Sequence, residues 1–380
     1  MKQGWEIKKL GEVLQKTETV DPTKNPDIEF TYLDVSSVNK ESKEIENATV
    51  LLGKDAPSRA RKLVRTNDVI FATVRPTHSR VALIPDEYNE QVCSTGYFVL
   101  RGKGFIDNKY LFYFLLTDEF NGIMEKLQKG ASYPAVTDAE VKSINLRFPK
   151  SLPEQQRIVS ILDEAFAAIA KAKANAEENL RNARELFEGY LQAIKAEKSP
   201  LGHLVEIKTG KLNSNAAVDG GKYPFFTCSR EIFAIDNYAF DHEAILLAGN
   251  NASGDFNVKY YKGKFNAYQR TYVITVNKEA KVLYRYLYFQ LLNSLKEFKE
   301  KSVGANTRFL KLGMIQEMKI PLPSLEQQQT IVQKLDTLSA ETKKLEAIYQ
   351  QKIKDLEELK KSILQKAFNG ELNTTKAAAV

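Results

Sequence analysis

One short motif occurs twice in this chain of 380 residues, and the second copy follows the first by an offset of 173 residues. LPEQQRIVSILDEAF begins at Leu152, and LEQQQTIVQKLDTLS begins at Leu325. Both copies keep glutamine, Ile-Val and Leu-Asp in the same order without a gap. A repeat at one long, fixed offset indicates that the chain consists of two similar halves.

Each copy of the motif opens a predicted long helix. Residues 151–195 and 324–370 are rich in strong helix formers, and apolar residues recur in alternating steps of four and three, as in a coiled-coil seam. A helix of about 42 residues is about 63 Å long. The predicted seam consists of Ile158, Leu162, Ile169, Leu180, Leu186 and Tyr190 in the first helix, and Ile331, Leu335, Leu338, Leu345, Ile353, Leu356 and Ile363 in the second.

The two helices share one irregularity of the seam. Asn179 and its counterpart Lys352 are polar, and in both copies the apolar residue follows one place later. Two unrelated amphipathic helices, each packed on its own globule, are the alternative. The shared slip favours equivalent helices, because unrelated helices have no reason to slip at the same step.

The stretches before the helices predict two globules, at 1–150 and 196–323, with a flexible tail at 371–380. KKLGEVLQ is echoed by SPLGHLVEI, and YLFYFLL by YLYFQLL. DVIFATV, EAILLAG and RTYVITV are the clearest strands, since β-branched and aromatic runs are bounded by turn residues. The predicted fold class is therefore α+β, with two similar domains separated by two long helices.

Composition narrows the class of protein. No apolar run approaches 18 residues, the N-terminus lacks the apolar core of a signal peptide, and Cys93 and Cys228 are the only cysteines. We therefore expect a reduced cytoplasmic protein. The net charge is +7, and residues 196–323 alone carry 18 basic and 12 acidic side chains. This local surplus weakly indicates a polyanionic partner.

Motifs of independent enzymes are not found. The sequence has no phosphate-binding GxxxxGK[ST] motif, no Asn/Asp-Pro-Pro-aromatic tetrad and no Gly-x-Ser-x-Gly motif. Its three histidines, His78, His203 and His242, are scattered and lack spaced cysteines. We expect no catalytic residues, no metal and no cofactor in this chain, although scattered carboxylates leave a degenerate nuclease site open.

The repeated motif, together with its surroundings, resembles the specificity subunits of Type I restriction-modification systems. The resemblance rests on residues 152–163 and 325–336, on the closing LKKSILQKAFNGEL, and on GKYPFFTCS with LLAGNNASGDFNVKYYKGKFNAYQRTYVI. It implies two target-recognition domains and two coiled-coil spacers, without catalytic activity.

The same resemblance implies partners in the cytoplasm of a bacterium or archaeon. They are double-stranded DNA, two adenine methyltransferase subunits and two translocase-nuclease subunits, which would use S-adenosylmethionine, ATP and Mg²⁺. If the helices pair antiparallel, the globules are related by a pseudo-twofold axis and each can meet one half of a split DNA target. Differently lined globules would then recognise different bases.

In the first globule, the predicted DNA-contacting residues lie in two basic segments. ATVRPTHSRVALI predicts a strand, a polar turn and a second strand, and arginine suits both guanine and phosphate. A merely solvated hairpin tip is the alternative. APSRARKLVR favours phosphate contacts. The candidates, including two from the loop GASYPA, are Arg59, Arg61, Lys62, Arg75, Thr77, His78, Ser79, Arg80, Ser132 and Tyr133.

In the second globule, LLAGNNASGDF and GANTRF take the corresponding places. Asparagine suits bidentate contacts to adenine, but Asn-Asn and Ser-Gly also simply form turns. The candidates are Lys211, Arg230, Asn250, Asn251, Ser253, Arg270, Asn306, Thr307, Arg308 and Phe309. Two rival functions stay open from the residues alone: a coiled-coil scaffold without sequence readout, and a self-sufficient nuclease or methyltransferase.

Overall fold

The structure, a computed structural model, describes residues 3–372 apart from the side chain of Arg184. The chain divides into two compact units, Met1–Asn175 with Gln351–Val380 (the first unit) and Ala176–Gln350 (the second unit). Each unit thus contains one predicted globule and a part of each long helix. Of the tail predicted at 371–380, residues 373–380 lie outside the described range.

The globule of the first unit is built from short strands and short helices. An antiparallel pair joins β1 to β9, a four-stranded sheet has the order β3-β2-β7-β4, and a three-stranded sheet has the order β6-β5-β8. The strands are β1 (Trp5–Lys9), β2 (Glu29–Leu33), β3 (Thr49–Leu52), β4 (Ala60–Leu63), β5 (Val69–Ala72), β6 (Val81–Leu83), β7 (Val92–Ser94), β8 (Tyr97–Leu100) and β9 (Asn145–Pro149). The helices are α1 (Leu10–Val13), α2 (Asn108–Leu115), α3 (Asp118–Leu127), α4 (Asp138–Lys142) and the long α5 (Leu152–Gln192).

Strand β5 explains why DVIFATV is apolar without alternation. All four residues of β5 are buried, because the strand is covered on both faces. Val69 and Phe71 pack in a core with α2, α3 and the start of α5, whereas Ile70 and Ala72 pack in a second core on the opposite face.

The globule of the second unit is organised around one larger sheet of order β11-β17-β14-β16-β12-β13. Neighbouring strands are antiparallel except β12 and β16. The strands are β10 (Lys198–Pro200), β11 (Val205–Thr209), β12 (Tyr223–Phe226), β13 (Phe233–Ile235), β14 (Phe240–Ala248), β15 (Asn250–Asn251), β16 (Val258–Ala267), β17 (Thr271–Val276), β18 (Arg308–Phe309) and β19 (Lys319–Pro321). The helices are α6 (Leu201–Leu204), α7 (Tyr284–Asn293), α8 (Leu295–Lys301), α9 (Leu312–Gln316) and the long α10 (Leu325–Asn369).

The sequence echoes between the globules correspond to equivalent contacts. Leu10 N–H donates to the Ile144 carbonyl oxygen at 2.8 Å, and Leu201 N–H donates to the Met318 carbonyl oxygen at 2.7 Å. Helices α1 and α6 therefore close the two globules in the same manner.

The glutamine of the repeated motif is a buried clamp in both units. Gln155 and Gln328 are both 0% exposed. The Gln155 amide donates to the carbonyls of Phe105 and Pro149, at 3.0 and 2.8 Å, and accepts from Asp107 N–H at 2.9 Å. Each glutamine therefore ties the start of its long helix to the globule that precedes it.

Gln328 makes the same three kinds of bond in the second unit. Its amide donates to the carbonyls of Lys281 and Pro323, both at 2.9 Å, and accepts from Leu283 N–H at 2.9 Å. Because buried polar groups are costly when unpaired, a glutamine at this step of the motif is required by the packing.

The Leu-Asp pair of the motif makes a second attachment. Leu162 and Leu335 are fully buried. Asp163 accepts from Lys109 at 2.7 Å and from Tyr113 at 2.5 Å, both on α2. We call Gln155, Asp163 and Lys109 the first joint.

Asp336 makes the corresponding attachment in the second unit, where it accepts from Arg285 on α7 at 2.5 Å. The Arg285 guanidinium also lies over the rings of Tyr260, Tyr288 and Phe289 at 4.8–5.5 Å. We call Gln328, Asp336 and Arg285 the second joint. The repeated motif therefore serves to dock each long helix on its own globule.

Within the first unit, α5 and the end of α10 run antiparallel. Lys173 pairs with Glu357 at 2.9 Å, and Lys360 lies 4.7 Å from the centroid of the Phe166 ring. The end of α10 also enters the core of this globule, where Phe368 lies 4.8 Å from the ring of Tyr110. No helix in the described range is long and apolar enough to cross a membrane.

Most residues of the predicted seam are buried or half-buried, both before and after the slip. Ile158, Leu162, Ile169, Leu335 and Leu338 are buried. Also at least half-buried are Leu180, Tyr190, Ile331, Ile353, Leu356 and Ile363.

Leu186 and Leu345 were wrongly assigned to the seam, since they are 62% and 38% exposed. In the first helix, the inward positions after Leu180 are Phe187 and Leu191, one residue later than predicted. An α-helix drifts by about 20° per heptad against a strict 3.5-residue repeat, so a slip once made carries forward.

Candidate nucleic-acid interface

The predicted contact loop of the first unit is a tight turn between β5 and β6. Arg75 and Ser79, with φ of 49° and 48°, flank a 3₁₀ turn at Pro76–His78. Few non-glycine residues adopt this left-handed region, and a turn held there carries backbone strain. Pro76 is buried, whereas Arg75, Thr77 and His78 are exposed. The turn therefore presents three of the candidates to solvent.

Arg75 connects this turn to the GASYPA loop. Its N–H donates to the Pro134 carbonyl oxygen at 2.7 Å, and its guanidinium carbon lies 5.2 Å from the centroid of the Tyr133 ring. Tyr133 is 73% exposed, and its neighbour Ser132 is also exposed. An arginine over an aromatic face is stabilised there by the ring quadrupole. The two predicted loops are thus brought together by one cation–aromatic pair.

Ser79 and Arg80 are engaged within the protein. The Ser79 hydroxyl donates to the Asn121 side-chain oxygen at 2.6 Å, and the Arg80 guanidinium donates to the Val38 carbonyl oxygen. Both side chains therefore brace the turn.

Of the four basic side chains in the segment 56–65, one is free and three are engaged, among them Arg65, which pairs with Glu18 at 3.0 Å. Lys62 pairs with Asp138 at 2.9 Å, and Arg61 lies 3.5 Å from Asp21. Arg59 is exposed and has no side-chain hydrogen bond or ion pair to the described residues. Arg59 is therefore the cation of this segment that is available to an external anion.

In the second unit, the turn between β16 and β17, which contains Arg270, packs against Gly249. Gly249 N–H donates to the Arg270 carbonyl oxygen at 2.9 Å, and Leu310 N–H donates to the Gly249 carbonyl oxygen at 2.9 Å. A Cβ atom on Gly249 would lie 2.4 Å from the Arg270 oxygen. Glycine is needed here for backbone packing within the protein.

Asn251 forms a turn. Its side-chain oxygen accepts from Ser253 N–H at 2.9 Å, from the Ser253 hydroxyl at 3.0 Å and from Asp255 N–H at 3.1 Å. These bonds correspond to the turn alternative for the Asn-Asn pair. Asn250 and Asn251 are half-buried, and their short strand β15 pairs with β18.

Arg270 forms the counterpart of the Arg75 pair. Its guanidinium carbon lies 5.8 Å from the centroid of the Phe309 ring. Arg230, in contrast, pairs with Asp255 at 2.7 Å, and Arg308 donates to the Ser302 hydroxyl at 2.9 Å. Lys211 is exposed, without a side-chain hydrogen bond or ion pair to any residue in the described range.

The loops GASYPA and GANTRF begin at equivalent glycines. Gly130 and Gly304 have φ of 106° and 111°, and a Cβ atom on Gly304 would lie 2.0 Å from the Thr307 carbonyl oxygen. Thr307 is half-buried and Asn306 is exposed. The two loops share their entry but carry different side chains.

Two lysines that sequence reasoning missed hold the contact loops in place. Lys43 donates to the Ser79 carbonyl oxygen, and Lys259 donates to the Ser229 carbonyl oxygen. Burial lowers the pKa of each of these amines to about 8, and the charges of Lys360 and Arg230, respectively, add to the effect. Lys43 lies outside the quoted motifs, and Lys259 lies within LLAGNNASGDFNVKYYKGKFNAYQRTYVI without any feature of residue type that marks it, so only the tertiary contacts reveal their role.

The predicted cations therefore fall into two groups. Paired or hydrogen-bonded within the protein are Arg61, Lys62, Arg80, Arg230 and Arg308. Without such a partner in the described range are Arg59 and Arg75 in the first unit, and Lys211 and Arg270 in the second. A cation without an internal partner is available to a phosphate or a base edge.

The described residues contain no group of three or more histidine, cysteine, aspartate or glutamate side chains that could hold a metal ion. Cys93 is buried, and burial raises the pKa of its thiol to about 12, which keeps it protonated and unreactive at neutral pH. The candidate residues themselves are cations, amides, hydroxyls and aromatic rings.

Comparisons with known proteins found a matching family and several similar proteins. The family model for the Type I restriction modification DNA specificity domain matches residues 2–178 and again residues 194–356. A relative, the Type I restriction enzyme EcoDI specificity subunit of Escherichia coli, is 41% identical over 172 residues, which are 45% of this chain and 37% of that subunit. The matched stretch spans about two fifths of the length of this and two further curated relatives.

Two solved structures share the fold over nearly the whole length. A chain from a study of complex assembly and conformational transition of the type I R-M system is 27% identical, with a TM-score of 0.82, and the match covers 97% of this chain and 99% of that one. The HsdS subunit of Thermoanaerobacter tengcongensis is also 27% identical, with a TM-score of 0.62 and 98% of both chains covered. Since the two family matches cover most of its residues, this chain belongs to the Type I restriction-modification DNA specificity family.

Proposed function

We propose that this chain is the non-catalytic subunit that recognises a bipartite, asymmetric DNA target for a Type I restriction-modification enzyme. Each globule binds one half-site. The observation that carries this proposal is that two joints of the same design attach two differently built globules to the long helices. Equivalent joints combined with different globules are what the two halves of an asymmetric target require.

The proposed partners are two methyltransferase subunits, which modify adenine, and two translocase-nuclease subunits. In this proposal those partners, and not this chain, would bind S-adenosylmethionine, ATP and Mg²⁺, and the enzyme would act in the cytoplasm. Support comes from the similarity, over 97% of this chain, to a chain from a structural study of complex assembly in the type I R-M system.

Base modification itself offers a direct test of bipartite recognition. Methylation-sensitive sequencing of a host that carries this subunit with its methyltransferase should show adenine methylation within one split motif. Deletion of the subunit should remove that methylation. Methylation that persists, or a single uninterrupted motif, would contradict the proposal.

We further propose that the two long helices set the gap between the half-sites. Four helix-forming residues inserted after Ala176 and after Tyr349 lengthen each helix by about 6 Å and rotate its end by a net 40° or so. One base pair rises 3.4 Å and turns by about 35°. The variant should therefore modify targets with a gap longer by one or two base pairs, with unchanged half-sites. A variant that still modifies only the original gap would show that the helices do not set it.

Two rival functions make different predictions. A scaffold without sequence readout would let the purified methyltransferase complex bind all duplexes equally. A self-sufficient enzyme would methylate DNA alone with a labelled methyl donor, or cut plasmid in Mg²⁺. We expect the isolated chain to do neither.

A further inference from the structure

We propose that Arg75 and Arg270 each recognise a G·C base pair, one in each half-site, and that Arg59 and Lys211 bind flanking phosphates. This assignment rests on the proposed function and adds the bases to it. It begins from the four predicted cations that lack an internal partner in the described range, two in each unit.

Arg75 and Arg270 share a geometry that Arg59 and Lys211 lack. Each guanidinium lies over one aromatic ring, at 5.2 Å for Tyr133 and 5.8 Å for Phe309. Both rings belong to the loops that begin at the equivalent glycines, although the two globules differ elsewhere. Two independent occurrences of the same pair at corresponding loops indicate a common use.

The backbones of both arginines are fixed as well. Arg75 donates through its N–H to Pro134 at 2.7 Å, in a left-handed conformation that arginine seldom adopts. Arg270 accepts through its carbonyl from Gly249 N–H at 2.9 Å. An arginine that is held by stacking and by its backbone loses little entropy on binding, because its planar fork is already oriented.

An oriented fork suits a guanine edge better than a phosphate. Guanine presents O6 and N7 side by side in the major groove, and arginine can donate to both at once. A phosphate accepts hydrogen bonds from many directions, so it needs charge more than orientation. Arg59 and Lys211 are exposed cations without a stacking partner in the described range, which suits phosphate.

Alanine substitutions in the full chain separate the two roles. We would select bound duplexes from a library randomised at both half-sites, for the wild type and for R75A, R270A, R59A and K211A. R75A should lower the preference for one G·C pair in one half-site by about 5- to 150-fold, and R270A should do the same in the other half-site. R59A and K211A should weaken binding to all sequences alike and reduce the slope of log affinity against log salt by about 1.

Matched controls test the division of the cations and the role of stacking. R230A and R308A, which lose cations with internal partners, should leave every base preference unchanged. Tyr133→Leu should weaken the same G·C preference as R75A, but by a smaller factor, because the charge remains and only its orientation is lost.

Failure of the assignment is distinguishable from failure of the proposed function. If the wild type selects two half-sites while R75A and R270A weaken all sequences evenly, the guanine assignment is wrong and bipartite recognition stands. If the wild type selects no sequence at all, the proposed function is wrong, and the base assignment falls with it.

Discussion

The two globules attach to their long helices through nearly the same joints but are built on different sheets. In both, a fully buried glutamine bonds two carbonyls and one amide, and an aspartate eight residues later binds a cation of the globule's helix. Their sheets differ, with four and three strands in the first unit and six in the second. The parts that attach a globule to the helices are thus kept, while the sheets of the globules are varied.

The joints also differ in one respect. The first joint uses Lys109 with help from Tyr113, whereas the second uses Arg285, which three aromatic rings surround. Arginine stacks on rings and forms planar contacts that lysine does not. The same attachment is therefore built from two chemistries, and this offers a way to test how closely equivalent the two halves are.

The largest expected effect comes from exchanging residues 1–150 for the matching domain of a relative. Only one half-site should change, because the second globule and its joint are untouched. Affinity for the old target should fall by about a thousandfold or more, since each mismatched base pair costs about 1–3 kcal/mol. Methylation-sensitive sequencing would report the new motif. A change in both half-sites would break the comparison, because the globules would then not recognise DNA independently.

A smaller but still large effect is expected from the buried glutamines. Gln155→Leu and Gln328→Leu each remove the partner of three backbone groups, most of them partly buried, at about 1–3 kcal/mol for each group that water cannot reach. Each unit should lose about 1–3 kcal/mol of unfolding free energy, measured by hydrogen exchange of its own amides in urea.

The neighbouring exposed glutamines provide the control for these two substitutions. Gln156→Leu and Gln329→Leu should change the unfolding free energy by less than about 0.5 kcal/mol. Loss of stability in only one of the two buried variants would mean that the joints are not equivalent.

The coupling free energies of the two ion pairs in the joints should differ by about 1 kcal/mol or less. Both pairs are more than a third exposed, so solvent weakens them. Double-mutant cycles of Asp336→Asn with Arg285→Gln, and of Asp163→Asn with Lys109→Gln, would measure the coupling free energies. We expect the stronger coupling at Arg285, which is stacked on three rings. Equal couplings would remove the chemical difference between the joints.

The last expected effect is a dependence of stability on pH. Lys43 and Lys259 have pKa values of about 8 in the folded chain, below the usual value of 10.5. Between about pH 8 and 9.5 the unfolded chain therefore binds more protons, so the unfolding free energy should rise as the pH rises. Urea midpoints at pH 7.5 and 9.5 would show this rise in both units. Lys43→Met should abolish it in the first unit only, and a rise that persists there would exclude Lys43 as its source.

Several parts of the fold were predictable because they rest on local patterns. Helices α5 and α10 follow from helix-forming composition and apolar spacing, and strands β5, β14 and β17 follow from β-branched runs. The seam failed at Leu186 and Leu345 because a drift of one residue depends on where the partner helix lies, which spacing alone does not record.

The candidate contact surface was predictable only in outline. Residue type selected arginines and asparagines, but type does not tell a free side chain from an engaged one. Arg80 and Arg230 are bound by groups distant in sequence, Arg308 is bound by the Ser302 hydroxyl six residues away, and Asn251 caps its own turn. Lys43 and Lys259 were missed because a lone lysine has no sequence signature.

The sequence by itself determined that the chain has two equivalent halves, two long helices and membership of one family. Those conclusions depend on order and spacing along the chain, which a sequence states directly. Only the tertiary structure decided what the repeated EQQ…LD residues do and which four candidate cations stay free. Hydrogen bonds and ion pairs join residues up to 76 positions apart among the engaged candidates, and such pairings exist only once the chain has folded.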